Sequence, residues 1–317
     1  MRIVTGTNCR RVRRIPTYRR VMRNWGLYVL LLPTLLYAAI FLYWPMYGIL
    51  IAFKDYKAPL GILGSPWTDQ HGLKYFLQFF SSYSFEEIVG NTLRISVYYL
   101  LVSTPIPIAF ALLLNYIERP GFKKVVQTVT YAPHFISTVV MCGMLFLLLA
   151  PTSGIINKMI LALGGRSVFF LNSPEWFPHV YVWSGIWQHM GWDSIIYIAA
   201  LSGISPELHE AGIVDGANKL QRIWHIDLPG ILPTLVILLI MNCGALMNVG
   251  FEKVYLMQNN MNLATSETMQ TYVYKIGLLN AQFSLSTAVG LFNSMVNFAL
   301  LIIVNFISKR LTENSLW

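Results

Sequence analysis

The chain has 317 residues, of which 55% are hydrophobic and only 12% carry a charge, whereas charged residues make up about 25% of a typical soluble domain. The hydrophobic residues are grouped into long uncharged runs, which excludes an ordinary soluble enzyme and is typical of a polytopic membrane protein. The polar stretches between the runs are too short to build an independent core. No separate soluble domain is therefore expected.

The net charge of +9 is concentrated at one end of the chain. Residues 1–24 precede the first hydrophobic run and contain eight arginines, which are Arg2, Arg10, Arg11, Arg13, Arg14, Arg19, Arg20 and Arg23. This pattern predicts a basic cytoplasmic arm that sets the membrane orientation and contacts anionic lipid. Nucleic-acid targeting is the alternative, but the charge forms no stripe along the chain, so no nucleic-acid partner is expected.

Six hydrophobic runs are long enough to cross about 30 Å of hydrocarbon, which takes about 20 helical residues. They are residues 25–53, 95–117, 125–157, 177–204, 228–251 and 276–308. The sequence predicts an all-α membrane protein with six transmembrane helices in a domain over residues 25–309, followed by a cytoplasmic tail at 310–317. The first run is about twice as long as a secretory h-region and has no A-x-A cleavage site, so we interpret it as a retained anchor.

The distribution of Lys and Arg predicts the orientation. With a cytoplasmic amino terminus, the inside segments hold fifteen of these residues and the outside loops hold seven, while Arg94 is assigned to the start of the second span. The positive-inside rule therefore places both termini in the cytoplasm. The predicted outside loops, residues 54–94, 150–176 and 252–275, are rich in Gly, Pro, Asn and aromatic residues. They are expected to form either a docking face or loose, solvated connections.

The connection between the fourth and fifth runs, residues 205–229, contains helix-end signals. Ser205 suits an N-cap, Pro206 suits the first helical position, and Asp215 suits the cap of a second short helix. These pieces are too charged to enter lipid and too short to stand alone, so we expect them to lie against a partner at the cytoplasmic surface. Four small residues would let a partner approach closely: Ala211, Gly212, Gly216 and Ala217.

At these residues the sequence resembles a known family. Glu210-Ala211-Gly212, Asp215-Gly216-Ala217 and Ile226-Asp227-Leu228-Pro229 resemble the EAA motif of permease subunits of binding-protein-dependent ABC importers. The one departure is Gly212 in place of the second alanine, and this keeps the position small.

The resemblance covers about residues 25–317, with a family core at about 90–308. Five further strings are similar to the oligosaccharide and polysaccharide permeases of the maltose-type group. They are residues 131–137, 251–259, 271–277, 286–294 and 315–317.

The resemblance implies a coupling helix that fits a groove of a cytoplasmic ATPase subunit. Two ATPase subunits would rock two permease subunits, usually a heterodimer, while an extracytoplasmic binding protein delivers the oligosaccharide. Glu210 would make the polar contact, Gly212 and Gly216 the close approach, and Leu228 and Pro229 the entry into the fifth span. The membrane would be the bacterial cytoplasmic (inner) membrane.

The sequence has no G-x-x-x-x-G-K-[ST] phosphate loop, so we expect no catalysis by this chain itself. ATP and Mg would bind to the partner subunits, and no cofactor is expected on this chain. The three cysteines, Cys9, Cys142 and Cys243, have no metal-ligand spacing, and no metal site is expected.

Polar residues inside spans have an unfavourable free energy of transfer into hydrocarbon, and they are therefore candidates for the substrate pathway. The candidates are Trp187, Gln188, Asp193, Asn242, Asn248, Asn293 and Asn297. Asp193 could bond sugar hydroxyls beside the stacking face of Trp187, or it could pair within the bundle while the tryptophans anchor at the interface. Asn293 and Asn297 are four residues apart and share a helix face, and the alternative for all four asparagines is hydrogen bonding between helices.

Other classes of protein remain as alternatives at this point. His209-Glu210 begins an H-E-x-x-H zinc pattern, but position 213 is Ile, which disfavours an intramembrane hydrolase. An ion-coupled secondary transporter could use Asp193, although we find no internal repeat. The EAA segment disfavours an exporter, and an importer of a non-carbohydrate solute stays open.

Overall fold

The computed structural model describes residues 25–312, 315 and 316. The predicted basic arm at 1–24 lies outside the described residues. The described part of the chain is helical and has no β-strand, with a single isolated bridge between Lys54 and Trp67. The predicted all-α membrane class agrees with this architecture.

Among the described residues, those from Trp25 to Leu50 form one compact unit and those from Ile51 onward form a second. Helix α1 (Trp25–Tyr37) is followed directly by the helical segments Ala38–Tyr43 and Trp44–Phe53, the second of which continues past the boundary at Leu50. The uninterrupted apolar stretch Trp25–Phe53 is a candidate membrane span. Its bounds are those predicted for the first run.

The second unit contains fifteen α-helices among its described residues. They are α2 (Gly61–Gly64), α3 (Lys74–Phe80), α4 (Ser84–Ser103), α5 (Pro105–Asn115), α6 (Pro120–Tyr131), α7 (Thr138–Leu148), α8 (Ile155–Ala162), α9 (Phe177–Ser202), α10 (Pro206–Val214), α11 (Lys219–Arg222), α12 (Leu228–Cys243), α13 (Phe251–Met257), α14 (Leu263–Ser266), α15 (Met269–Tyr274) and α16 (Phe283–Thr312).

Three further helical stretches are long and apolar enough to cross a membrane, which are Ser84–Asn115, Lys219–Cys243 and Phe283–Arg310. A bent pair, Pro120–Phe135 and Thr138–Leu148, has the composition of one more span. Helix α9 is continuous over 26 residues, but its Trp, His, Gln and Asp side chains make it less apolar than these stretches. Hydropathy on the described helices therefore gives four clear spans.

The bounds of the later spans differ from those predicted, because turns interrupt the hydrophobic runs. The third run is bent by 101° between Phe135 and Thr138, where Ser137 caps α7 through a bond from the Val140 amide to its Oγ. The fifth run ends as a helix at Cys243. The last helix begins only at Phe283, because the chain turns at Ala281, whose φ is +54°.

Helix α9 lies at the centre of the packing in the second unit. Its first half packs Phe177 and Val182 against α4, α7 and α13, and its second half packs Tyr197 against α5 and α12. At Gly191 the helix approaches α6 so closely that a Cβ would overlap the Thr130 carbonyl. A third cluster joins α3, α4, α15 and α16, with Phe79 at its centre.

Buried amide side chains fix the predicted outside loops. Asn157 is fully buried and bonds the Leu149, Ala150 and Val168 carbonyls and the Val168 amide. Asn262 is fully buried as well, and its Nδ2 donates to the Leu171 and Met257 carbonyls. The loops around these residues are packed rather than loosely solvated.

We predict that Asn262→Ala lowers the thermal unfolding midpoint of the detergent-purified protein. The substitution leaves the buried Met257 carbonyl without its Asn262 donor and the buried Ser266 hydroxyl without its Asn262 acceptor, at about 1–3 kcal/mol for each such group. The neighbouring Asn260 is exposed, so Asn260→Ala is the matched control. Equal midpoints for the two variants would show that the Asn262 contacts do not hold this loop.

Candidate functional site

The segment between α9 and α12 begins as expected from its end signals. Helix α10 starts at Pro206, and Ser205 occupies the N-cap position in an extended conformation, although its side chain makes no capping bond. Helix α10 ends at Val214, and the chain turns away from it at Gly216, whose φ is +78°. The Gly216 amide donates to the Ile213 carbonyl at 3.0 Å and the Ala217 amide to the Gly212 carbonyl at 2.8 Å. These two bonds form a Schellman motif, which favours glycine at position 216.

The prediction that Asp215 caps a second short helix is wrong. Asp215 is the last residue of the α10 turn, with φ −74° and ψ 2°. The cap of α11 is Asn218, whose Oδ1 accepts from the Gln221 amide while the Gln221 side chain accepts from the Asn218 amide. The chain needs the Gly216 turn before it can begin a new helix, and this moves the cap three residues along.

The small residue at position 212 has a role inside the chain. A Cβ at Gly212 would lie 3.4 Å from Ile226 Cδ1 and 3.6 Å from Arg222 Cγ, so α10 packs on the segment that leads into α12. Glu210, Ala211 and Asp215 are exposed, whereas Ala217 is half-buried. Leu228 packs beside α5 and α9 at the start of α12, and Pro229 next to it is exposed.

Exposed apolar side chains lie on α10 and on the segment that follows it, and we call them the exposed apolar surface around α10. It consists of Leu208, Ile213, Val214, Leu220 and Trp224. Val214 is 86% exposed and Leu208 is 54% exposed. Glu210 and Asp215 lie among these residues, so the surface combines apolar contacts with exposed carboxylates, as docking surfaces between proteins do.

A fully buried carboxylate connects α10 to α12. Asp227 Oδ2 accepts a hydrogen bond of 2.7 Å from the Tyr116 hydroxyl. Its Oδ1 lies 3.4 Å from His209 Nε2, without hydrogen-bond geometry. Within the Ile226–Pro229 string no separate role was predicted for Asp227, because its partners Tyr116 and His209 are not adjacent to it in the sequence. Its one sequence signal is an Asp directly before an apolar run.

A cavity of about 920 Å³ lies between α4, α5, α9 and α12 and extends to residues 245–250. Its polar lining includes Ser96, Tyr99, Ser103, Thr104, Tyr181, His189, Trp192, Asp193, Tyr197, Asn242 and Asn248. Rings and hydrogen-bonding groups are therefore combined in one space. Such a volume is within the range of small-molecule sites.

The structure brings three of the predicted pathway residues together. Asp193, Asn242 and Asn248 all line the cavity. Asp193 is exposed in it and forms no ion pair or hydrogen bond with any residue that the structure describes. Trp187 is exposed outside the cavity lining. Gln188 is buried, and its Nε2 donates to the Ile136 carbonyl at 2.8 Å, at the bend of the third run.

The asparagines of the last helix meet at Asn248. Its Oδ1 accepts from Asn293 Nδ2 at 2.9 Å, from Asn297 Nδ2 at 3.2 Å and from Gln270 Nε2 at 3.2 Å. Asn297 is buried and also accepts from the Met247 amide at 2.8 Å. Asn293 lines a second cavity of about 450 Å³ beside α15. These contacts join α15 and α16 to the non-helical segment at 244–250, while Asn248 also faces the larger cavity.

An aromatic contact of the cavity wall involves a residue outside the predicted pathway set. The His134 ring stacks on Trp192 with centroids 4.3 Å apart, and His134 Nδ1 lies 3.0 Å from His189 Nδ1. This contact joins the bend of the third run to the middle of α9. His134 was interpreted from the sequence as structural or gating, but its partners, which lie more than 50 residues further along the chain, were not predicted.

Residues 89–313 match the model of a protein family described as "binding-protein-dependent transport system inner membrane component". The chain belongs to this family of membrane permease subunits. The ATPase of these transporters is on separate subunits, and this chain is not catalytic by itself. An ion-coupled carrier and an exporter are therefore excluded.

Among individual relatives, the chain is 41% identical to Protein LplB of Bacillus subtilis (strain 168), over 93% of this chain and 92% of the relative. It is 43% identical to the polygalacturonan/rhamnogalacturonan transport system permease protein YteP of the same organism, over 94% and 92%. A chain in the crystal structure of a bacterial alginate ABC transporter, bound to a periplasmic protein that holds an alginate pentasaccharide, superposes with a TM-score of 0.87. That chain is 38% identical, and the match covers 95% of this chain and 99% of that one.

We predict that Tyr116→Phe loosens the segment over 206–222. The substitution removes the donor to a buried carboxylate oxygen, which costs about 1–3 kcal/mol. Trypsin cleavage after Lys219 and Arg222 reports the loosening, and it is expected to be faster in the variant under native conditions. Tyr83 is 96% exposed, so Tyr83→Phe is the control and is expected to cleave at the wild-type rate. Unchanged cleavage in Tyr116→Phe would contradict an anchoring role for Asp227.

Proposed function

We propose that this chain is the permease subunit of an ATP-driven importer that carries oligosaccharide or polysaccharide fragments across the membrane. The observation that supports this most directly is the 920 Å³ cavity, where an unpaired carboxylate, two amides and several aromatic rings face one space. Sugars present apolar ring faces that stack on aromatic side chains and hydroxyls that bond to carboxylates and amides. The cavity offers both kinds of group.

The names of similar proteins favour the same class of substrate. YteP is named for polygalacturonan and rhamnogalacturonan, AraP for arabinooligosaccharides, and the superposed crystal structure belongs to an importer of alginate. UgpA of Yersinia pestis, which is named for sn-glycerol-3-phosphate, is 27% identical, as AraP is. YteP at 43% and the chain of the alginate transporter at 38% are more similar than either, and we extend their class of substrate to this chain.

We propose six membrane crossings with both termini in the cytoplasm of a bacterium. Four are the apolar stretches described above, one is the bent pair at 120–148, and one is α9. A 26-residue helix is about 39 Å long at 1.5 Å per residue, enough to cross the hydrocarbon. The polar Ser184, Gln188 and Ser194 of α9 are buried against other helices, so α9 needs fewer apolar residues than a lipid-facing helix.

We infer the protein partners of this chain from its exposed surfaces. The exposed apolar surface around α10 would dock one of two ATPase subunits, with Glu210 as a polar contact and Gly216 shaping the turn. A second permease subunit would complete the pathway, since this chain provides one wall. An extracytoplasmic binding protein would deliver the sugar to the loops that Asn157 and Asn262 fix. ATP and Mg would bind to the ATPase subunits.

We predict that Leu208→Asp weakens the association with the ATPase subunits by about tenfold or more, because it places a charge in an apolar docking surface. The measurement is the amount of ATPase subunit that co-purifies at increasing dilution. Leu163 is 87% exposed on the loop after α8, and Leu163→Asp is the matched control. If both variants retain the ATPase subunits equally, α10 is not the docking element.

The second prediction concerns substrate. ATP hydrolysis by the complex reconstituted in vesicles is expected to rise several-fold with a binding protein loaded with an oligosaccharide, and to stay at its unloaded rate with glycerol 3-phosphate. The panel contains neutral and uronate oligosaccharides of matched length. Stimulation by the phosphate ester alone would replace the carbohydrate assignment with that of a non-carbohydrate solute.

A further inference from the structure

Lys253 lies in α13, one turn after the cavity-lining residue Gly250. Its Nζ donates to the Tyr181 carbonyl of α9 at 2.9 Å and lies 4.8 Å from the centre of the Tyr181 ring. It reaches the α9 backbone because position 185 is glycine. A Cβ there would lie 3.2 Å from Lys253 Nζ and 3.0 Å from a ring carbon of Tyr99.

The ammonium therefore lies directly behind the cavity wall. Tyr99 and Tyr181 both line the cavity, and Nζ is packed at Gly185 between them. An anionic group that contacts Tyr99 and Tyr181 at this end of the cavity would therefore lie close to Nζ, which is over the Tyr181 ring. At such short range, in a medium of low dielectric constant, an ammonium acts strongly on a charge.

No carboxylate neutralises this lysine within the described part of the chain. Lys74 pairs with Asp55, Lys219 with Glu118 and Lys275 with Glu267, whereas Lys253 forms no ion pair. The buried Lys54 has no carboxylate either, but it bonds two loop carbonyls, those of Ile62 and Leu63, and so closes a loop. Lys253 has a single carbonyl for its three N–H groups.

The other titratable groups packed around Lys253 are two phenols, a thiol and an imidazole, on Tyr99, Tyr181, Cys142 and His189. The adjacent carboxylate of Glu252 is exposed and forms no ion pair with Lys253. Burial lowers the pKa of the Lys253 ammonium to about 8, so the side chain is still mostly charged at pH 7. Burying a charge without a counter-charge destabilises the folded protein, so we expect the position of this lysine to have a functional reason.

We infer that Lys253 supplies the positive charge that attracts a carboxylate of an acidic sugar as it passes this end of the cavity. This inference rests on the proposed function and narrows it to uronate-containing oligosaccharides. Lysine and arginine perform the same selection in anion-conducting pores. Lys253 would act through charge at short range, and Tyr99 and Tyr181 would form the surface that the sugar ring meets.

Asp193 in the same cavity does not oppose this assignment. It lies eight residues after Gly185 on α9, or about 12 Å along the helix axis. A sugar unit that presents its carboxylate to Lys253 can keep its hydroxyls toward Asp193, which accepts hydrogen bonds. The two charges would then orient a chain of sugars along the cavity.

The test compares two ligands that differ only in charge, an oligogalacturonate and its methyl ester. Uptake into vesicles that contain the whole complex and its binding protein is measured for the wild type, Lys253→Met and Lys253→Arg. We expect Lys253→Met to reduce uptake of the acid about tenfold or more relative to the ester, and Lys253→Arg to stay within about threefold of the wild-type ratio. An equal loss for both ligands in Lys253→Met, or no loss for the acid, would overturn the inference.

The wild type separates this inference from the proposed function. If the wild type takes up neither ligand and its ATPase responds to no saccharide in the panel, the carbohydrate assignment fails. If it takes up saccharides but the acid-to-ester ratio does not depend on Lys253, only the role of Lys253 fails.

A pH series keeps the inference testable if Lys253→Met does not assemble. The ammonium has a lowered pKa, so it is charged below about pH 8 and loses its charge as the pH rises through that value. A bound carboxylate raises the pKa of the lysine, so the loss is expected somewhat above pH 8. The acid-to-ester uptake ratio of the wild type should fall between pH 7 and pH 9.5, and a constant ratio would overturn the inference.

Discussion

Backbone hydrogen bonding in hydrocarbon is the constraint on which this structure depends. Where no water is available, each N–H and C=O group has to find a partner within the protein, so the chain is helical and each interruption of a helix needs a side chain to complete it. Amide side chains do this at two interruptions. Gln188 donates to the Ile136 carbonyl at the bend of the third run, and Asn297 accepts from the Met247 amide after α12.

The same constraint sorts the polar residues of the spans. Gln188 and Asn297 are buried and bonded to backbone groups, so their polarity is used within the chain. Asp193 and Asn242 face the cavity, and Asp193 has no partner among the described residues. Asn248 does both, because its Oδ1 receives three amide donors while it lines the cavity wall. The interrupted segment at 244–250 thus forms part of the cavity wall, because Asn297 and Gln270 hold its backbone in place.

The parts of the molecule that depend on residues close together in the sequence could be predicted from the sequence. The bounds of the first span and the start of α10 at Pro206 follow from hydropathy and helix-end residues. The bend at Ile136 and the end of α12 could not be predicted, since both depend on amides that are 50 or more residues away in the chain. Asp227 was missed for the same reason, as its donor is Tyr116. Asn218 is a residue type that commonly caps helices, so the sequence contained a signal for this cap. The turn at Gly216, which places Asn218 rather than Asp215 at the start of α11, was not predicted.

Asp227 and the interrupted segment at 244–250 lie at opposite ends of one helix. Helix α12 spans 16 residues, or about 24 Å, from the residue after Asp227 to Cys243, where the 244–250 segment begins. Packed side chains transmit displacement because a close-packed interior is stiff. If α10 docks an ATPase subunit as proposed, a movement of α10 would reach α12 through Asp227 and would change the cavity wall formed by Asn242 and Asn248. The buried carboxyl suits this role better than an apolar contact, because its separation from Tyr116 would leave a buried acceptor without its donor.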